Sequence, residues 1–139
     1  MKILLLSYFF EPDLSAGSFR SSALYKRLKN LGHEVEVITT LPNRYDSFEG
    51  KVNNELNSDS SRIFRIDTKN DSSKFLGQIR AYINFFFGAL KITKKTDYDI
   101  VYASSSKLFT AFLGAVISKR NKSLLYLDIR DIFLESLRD

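Results

Sequence analysis

No cysteine occurs in the chain. Disulfides are therefore excluded, and nothing in the composition calls for an oxidising compartment. Histidine is nearly absent too: His33 stands alone. With both soft ligand types reduced to one residue, no transition-metal site is expected. His33 lies in Gly32-His33-Glu34-Val35, at the amino end of an expected strand, and is read as structural. Apolar runs stay well short of the roughly 18 residues a spanning helix needs. Met1–Leu6 carries one Lys and is followed soon by Glu11 and Asp13, which is too short for a signal-peptide core and fits a buried strand. No GxGxxG fingerprint, internal repeat or low-complexity tract is present. Acids are scarce in one stretch. From Asp71 to Lys95 the basic residues are Lys74, Arg80, Lys91, Lys94 and Lys95, against a single acid.

What is present is a folded chain. Its 139 residues are 44% apolar, enough for one domain with a sizeable core. The net charge is +5 and the pI about 9.4. A basic surface of this kind suits phosphates, anionic lipid or nucleic acid. Nucleic acid is set aside, because the basic residues cluster on one aromatic helix with no readout motif.

Met1–Thr40 is the most informative stretch. It reads as an apolar strand (Lys2–Ser7), a loop holding Pro12 and Gly17, a helix (Ser18–Leu31) and a second apolar strand (Val35–Thr39). That is the opening unit of a parallel α/β sheet. The helix is expected to bury Phe19, Ala23, Leu24, Leu28 and Leu31, with Ser18 as its N-cap and Gly32 just past its end. Leu41–Ser61 is a polar excursion. Then follow a short strand (Arg62–Ile66), a turn (Asp67–Ser72), a long helix (Ser73–Lys95), a strand (Asp99–Ala103), a helix (Lys107–Lys119) and a strand (Ser123–Asp128). Ile129–Asp139 begins another helix. Small residues Ala111, Gly114 and Ala115 suit close packing on a sheet. The order predicts a doubly wound, Rossmann-like parallel sheet, strand order 3-2-1-4-5, with helices on both faces.

Such sheets take ligands at the carboxyl ends of their strands, where helix N-termini offer free N–H groups to anions. Gly17 and Ser18 are the candidates for holding a phosphate there; Gly17 is expected to supply positive φ and close approach. Arg20, just inside the helix, can reach an anion at the loop or stand solvated. Ser104–Ser106 can cap the following helix or hydrogen-bond a sugar. Asp128, Arg130 and Asp131 cluster at the end of the last strand, as an ion pair fixing the turn or as ligand contacts. In the long helix, Phe85, Phe86 and Phe87 cannot all face one way at about 100° per residue. Some of these rings must meet another element, another domain or a membrane interface.

Three segments carry a resemblance to a known family: Ile3–Thr39 (ILLLSYFFEPDLSAGSFRSSALYKRLKNLGHEVEVIT), Tyr98–Lys119 (YDIVYASSSKLFTAFLGAVISK) and Leu124–Phe133 (LLYLDIRDIF). Together they resemble the N-terminal domain of glycosyltransferase family 4, retaining enzymes of the two-domain GT-B fold. The last segment is similar to the DIRDLWPE-type stretch of transferases that build O-antigen and capsule, including fucosamine-type enzymes. The resemblance spans essentially the whole chain. It implies the acceptor-side half of an enzyme whose donor-binding second domain is absent from these residues, so that the piece alone is inactive. It also implies Gly17, Ser18 and Arg20 at the donor phosphate; Ser104, Ser105, Arg130 and Asp131 at the acceptor; and Asp131 as the candidate catalytic residue. No metal or resident cofactor is implied. The substrates would be a nucleotide sugar and a glycan acceptor, the latter lipid-linked, and the enzyme would be cytoplasmic with peripheral contact to an anionic membrane. Three departures stand out. Ala16-Gly17 replaces a common glycine pair, Arg130 stands at a frequent His position, and Phe133-Leu134 replaces Trp-Pro. A GT-B-fold sugar-nucleotide epimerase and a stand-alone α/β binding module remain open alternatives.

Overall fold

The computed structural model describes residues 1–42, 62–68, 75–105 and 108–129. Strand β1 (Lys2–Leu6) runs through the middle of a five-stranded sheet. Its Leu4, Leu5 and Leu6 are wholly buried, because a central parallel strand has both faces covered. On one side it pairs with β2 (Glu34–Thr40), which pairs with β3 (Ile63–Ile66); on the other lie β4 (Ile100–Ser104) and β5 (Leu124–Asp128). All four pairings are parallel, in the order β3-β2-β1-β4-β5. This is the Rossmann-like order expected from the sequence.

Helices cover both faces. Helix α1 (Ala16–Asn30) packs Tyr25, with Leu24 and Leu28, on the face formed by Ile3, Leu5, Val35 and Val37. Helices α2 (Phe75–Ile92) and α3 (Leu108–Asn121) lie on the opposite face. There Phe85, Ala89, Leu113 and Ile117 meet Leu4, Leu6, Ile38, Val101 and Ala103. α3 comes so close to β4 that a Cβ on Gly114 would stand 2.5 Å from the Ala103 methyl carbon. Only glycine fits that crossing. Gly32 follows α1 with φ of +81°, and its N–H closes onto the Lys29 carbonyl at 2.9 Å. It is the helix-ending glycine the sequence calls for.

Two expectations for α1 fail. The N-cap is Ser15, not Ser18: Ser15 has extended φ and ψ, and its hydroxyl accepts from the Ser18 N–H at 3.1 Å. The helix therefore begins two residues early. Nor does the whole of its apolar stripe face the core: Leu24 and Leu28 pack there, and the rest do not. Phe19, Ala23 and Leu31 are exposed, while Ser18, Ser21, Ser22 and Tyr25 are buried. The cause is the loop before the helix, which folds back on α1 and demands small hydroxyls rather than rings.

At the amino edge, charge ties the sheet together. Lys2 Nζ bridges Glu34 (3.2 Å) and Glu36 (3.0 Å), and the Tyr98 hydroxyl donates to Glu36 at 2.6 Å. Burial and then the Glu36 carboxylate push the Tyr98 hydroxyl pKa well above its usual value. His33 sits at this edge, its N–H on the Leu28 carbonyl, far in the fold from the strands' carboxyl ends. The polar excursion beyond residue 42 and the helix expected beyond Ile129 lie outside the described residues.

Candidate functional site

At the opposite edge, the β1–α1 loop is built almost entirely by hydroxyl groups. The Ser7 hydroxyl bonds the Phe9 carbonyl (2.7 Å) and the Ser21 hydroxyl (2.9 Å). The Thr39 and Thr40 hydroxyls both donate to the Tyr8 carbonyl, Thr40 at 2.8 Å. The Glu11 N–H donates to Ser22 at 3.3 Å. Arg65 on β3 donates from Nη2 to the Glu11 carbonyl at 2.7 Å, and Lys26 pairs with the Glu11 carboxylate at 3.1 Å. Between them lies a cis peptide bond, Glu11–Pro12. The loop is thus held from β1, β2, β3 and α1 before any ligand arrives, which cuts the ordering cost of binding.

What the loop presents is the N-terminus of α1. The N–H groups of Ala16 and Gly17 meet no acceptor among the described residues, as the geometry of a helix start dictates. Such groups carry the positive end of the helix dipole. The Ser18 N–H is already taken by Ser15, so its amide is not available, contrary to the sequence reading. Its hydroxyl is buried and has no partner. Gly17 is an ordinary helical residue; positive φ occurs, among the described residues, only at Gly32 and Lys122. The expected left-handed glycine at the ligand loop is therefore overturned. The cap moved upstream to Ser15, and Gly17 was drawn into the first turn.

Across the edge from α1, the ends of β4 and β5 supply the second half. Arg20 reaches over from α1, and its Nη2 lies 2.7 Å from Asp128 Oδ1. The carboxylate is 7% exposed and the guanidinium 62%. Asp128 also faces Tyr102, whose hydroxyl is pushed up to about 12 by burial and then by the Asp128 charge and hydrogen bond, with Arg20 opposing. The Tyr102 ring stacks on Tyr126 at 5.1 Å. The Ser105 N–H donates to the Asp128 carbonyl at 2.9 Å. Ser104 pairs in register with Asp128; its hydroxyl is fully buried and has no partner. A buried hydroxyl left unpaired costs about 1–3 kcal/mol, so it is the kind of group that a ligand oxygen relieves.

Of the sequence candidates, Gly17, Ser18, Arg20, Ser104 and Ser105 all stand at the carboxyl edge. Arg130 and Asp131 lie outside the described residues, as does Ser106. Three participants escaped sequence reasoning. One is the pairing of Arg20 with Asp128. The second is Tyr102 behind it. The third is Arg65, whose Nε and Nη1 are buried without a partner. Burial lowers the pKa of Arg65, while Asp13 and Glu11 work against that shift. The signal for Arg65 was there: a cation inside the apolar run Ile63-Phe64-Arg65-Ile66. Among the described residues no His, Cys, Asp or Glu group of metal-binding size occurs.

No protein-family model matches the chain, and no curated protein matches it. Among solved structures it is similar to the C-terminal domain of a hydrogenase from Pyrococcus furiosus. The TM-score is 0.61 and the identity 12%, with 92% of this chain and 90% of that one covered. A likeness at that identity speaks for the shared α/β fold alone.

Proposed function

We propose that this domain serves as the acceptor-side half of a retaining glycosyltransferase. The full-length enzyme would move a sugar from a nucleotide-sugar donor to a glycan acceptor, without a metal. The sequence resemblance supports this reading, and one structural observation carries it. The free N–H groups of Ala16 and Gly17, the Arg20 guanidinium and the unpaired Ser18 and Ser104 hydroxyls gather at one edge of a parallel sheet. Helix N–H groups and an arginine suit the negative charge of a diphosphate. Neutral hydroxyls and a carboxylate suit sugar hydroxyls. Asp128 fixes Arg20 at the boundary between the two. In this proposal Arg130 and Asp131 would extend the carboxylate side toward the acceptor, with Asp131 holding an acceptor hydroxyl. Nucleotide sugars as substrates would place the enzyme in the cytoplasm.

Two measurements test the reading. On the isotope-labelled 139-residue chain, inorganic diphosphate should bind weakly, at millimolar concentrations, and shift the amide signals of Ala16 and Gly17. Shifts confined to other regions would remove the helix N-terminus from the site. On the full-length enzyme, a panel of labelled nucleotide sugars with a lipid extract should give label in the lipid fraction, with the anomeric configuration retained. Interconversion of the sugar nucleotide without transfer would instead identify an epimerase.

A further inference from the structure

We infer that Arg65 is a positioning residue for the anion-binding start of α1: it fixes the loop before that helix to the sheet. The inference rests on the reading of the Ala16 and Gly17 N–H groups as diphosphate contacts. Arg65 stands where packing alone calls for an apolar side chain. In β3, Ile63 packs on the face that carries α1, while Phe64 and Ile66 pack on the face that carries α2 and α3. Alternation puts Arg65 on the α1 face with Ile63. Its partner in register is Thr39, which is wholly buried. Two of the Arg65 nitrogens, Nε and Nη1, are buried without an acceptor. A buried guanidinium short of hydrogen bonds costs stability, and an apolar side chain of similar volume would not. Packing therefore does not explain a cation at this point.

What Arg65 does make is one short bond to the loop. Its Nη2 donates to the Glu11 carbonyl at 2.7 Å. Glu11 is held at two further points: its N–H donates to the Ser22 hydroxyl, and its carboxylate pairs with Lys26. Both of those partners ride on α1. Of the three ties, only the one to Arg65 comes from the sheet. From this point a run of bonds leads to the helix cap. The Asp13 N–H closes onto the Phe10 carbonyl at 3.0 Å, and the Ser15 N–H onto the Asp13 carbonyl at 3.2 Å. The Ser15 hydroxyl then takes the Ser18 N–H.

A second hold on α1 comes from the opposite side of the sheet, where Asp128 of β5 grips Arg20. The start of α1 is thus braced from β3 and from β5, the two outer strands. With the β3 brace released, Glu11 can move together with Ser22, Lys26 and the helix that carries them. The Ala16 and Gly17 N–H groups then lose their fixed aim, although α1 keeps its own hydrogen bonds. A site that its ligand must first set in order binds more weakly. The loss falls on affinity and spares the fold.

Titration of Arg65 variants with inorganic diphosphate tests this. Binding is read from the Ala16 and Gly17 amide signals of the isotope-labelled 139-residue chain, so that only folded molecules are counted. Arg65→Met removes the donor and the charge at similar volume. It should keep the thermal midpoint near wild type and weaken diphosphate binding about fivefold or more. Arg65→Lys keeps a donor and a charge and should recover most of that loss. Arg62→Gln removes a cation from the amino end of β3, where it pairs with Glu34, and should leave binding unchanged. Undiminished binding in Arg65→Met overturns the inference. So does an equal loss in Arg62→Gln, which would mean that net charge alone draws the anion. If Arg65→Met gives no folded spectrum, Arg65→Gln, shorter and uncharged, is read by the same two outcomes. A wild-type chain whose Ala16 and Gly17 amides ignore diphosphate is a separate failure: it removes the site itself, and with it anything for Arg65 to position.

Discussion

Helices α1 and α2 make opposite use of their two sides. The buried side of α1 is largely hydroxyl (Ser18, Ser21, Ser22, with Tyr25), and its single phenylalanine, Phe19, is exposed. The buried side of α2 is apolar (Ala81, Phe85, Ala89), and so is the side turned away from the core (Leu76, Ile83, Phe87). Amphipathic patterning reports burial faithfully only where burial is the sole demand on a helix. α1 must also hold the β1–α1 loop, where Ser22 accepts from the Glu11 N–H and Ser21 bonds the Ser7 hydroxyl. α2 carries apolar area beyond what the sheet can cover.

The sharpest way to break this comparison is at two phenylalanines two positions apart. Phe85 is wholly buried among Tyr8, Ala89 and their neighbours, whereas Phe87 is 64% exposed. Phe85→Ala should cost about 3–5 kcal/mol in urea unfolding. Phe87→Ala should stay within about 0.5 kcal/mol, as surface changes do. Similar losses at both would mean that the outward face of α2 is covered.

A second test concerns what Arg20 is for. The pair with Asp128 is half solvated, so as a stability device it is worth no more than about 1 kcal/mol. If Asp128 aims Arg20 at a ligand, Asp128→Asn in the full-length enzyme should lower turnover at least about tenfold, roughly 1.4 kcal/mol of transition-state stabilisation. The accompanying change in melting temperature should be small. A large drop in melting temperature with unchanged kinetics per folded molecule would reduce the pair to a clasp between α1 and β5. Asp131→Asn should match Asp128→Asn in size if Asp131 holds the acceptor; wild-type kinetics would remove it from the site.

Smaller effects are expected where α1 grips the loop. Ser15→Ala removes the cap from the Ser18 N–H and should cost about 1 kcal/mol. Ser22→Ala leaves the Glu11 N–H without its acceptor and should cost about the same. Chemical denaturation measures both. If α1 were an ordinary core helix, Ser22→Ala would be neutral or stabilising, since alanine is the better helix former.

How much of this was legible in sequence follows from the same contrast. The sheet was readable because Leu4, Leu5 and Leu6 have no polar alternative, and because strand and helix periods alternate cleanly along the chain. Gly32 and Gly114 announced themselves for the reasons the backbone confirms. The start of α1 misled, because Ser15 and Ser18 are both good caps and local sequence does not say which one the loop will select. The loop pins were hidden because a hydroxyl bonded to a distant carbonyl leaves no periodic trace. Arg20 and Asp128 are separated by more than a hundred residues, and only the sheet order brings them together. Three phenylalanines in a row, by contrast, had to point in different directions, and they do: Phe85 inward, Phe86 toward α3, Phe87 outward.

The smallest expected effect on stability is also the most selective for function. Ser104 ends β4 with its hydroxyl fully buried and unpaired. A polar group in that state gives folding nothing and costs its desolvation. Ser104→Ala should therefore leave the unfolding free energy within about 0.5 kcal/mol of wild type, or raise it slightly. If the hydroxyl exists for a ligand, the same change must weaken binding, because the ligand oxygen then loses the donor it meets there. A net hydrogen bond of about 1 kcal/mol corresponds to roughly a fivefold loss of affinity. Thermal melts of the Ser104→Ala chain and the acceptor KM of the same variant in the full-length enzyme separate the two. Stability preserved and affinity lowered assigns the hydroxyl to the site. Lowered stability with unchanged affinity would mean that Ser104 makes a structural bond within the fold, and that the ligand edge is narrower, confined to the start of α1 and Arg20.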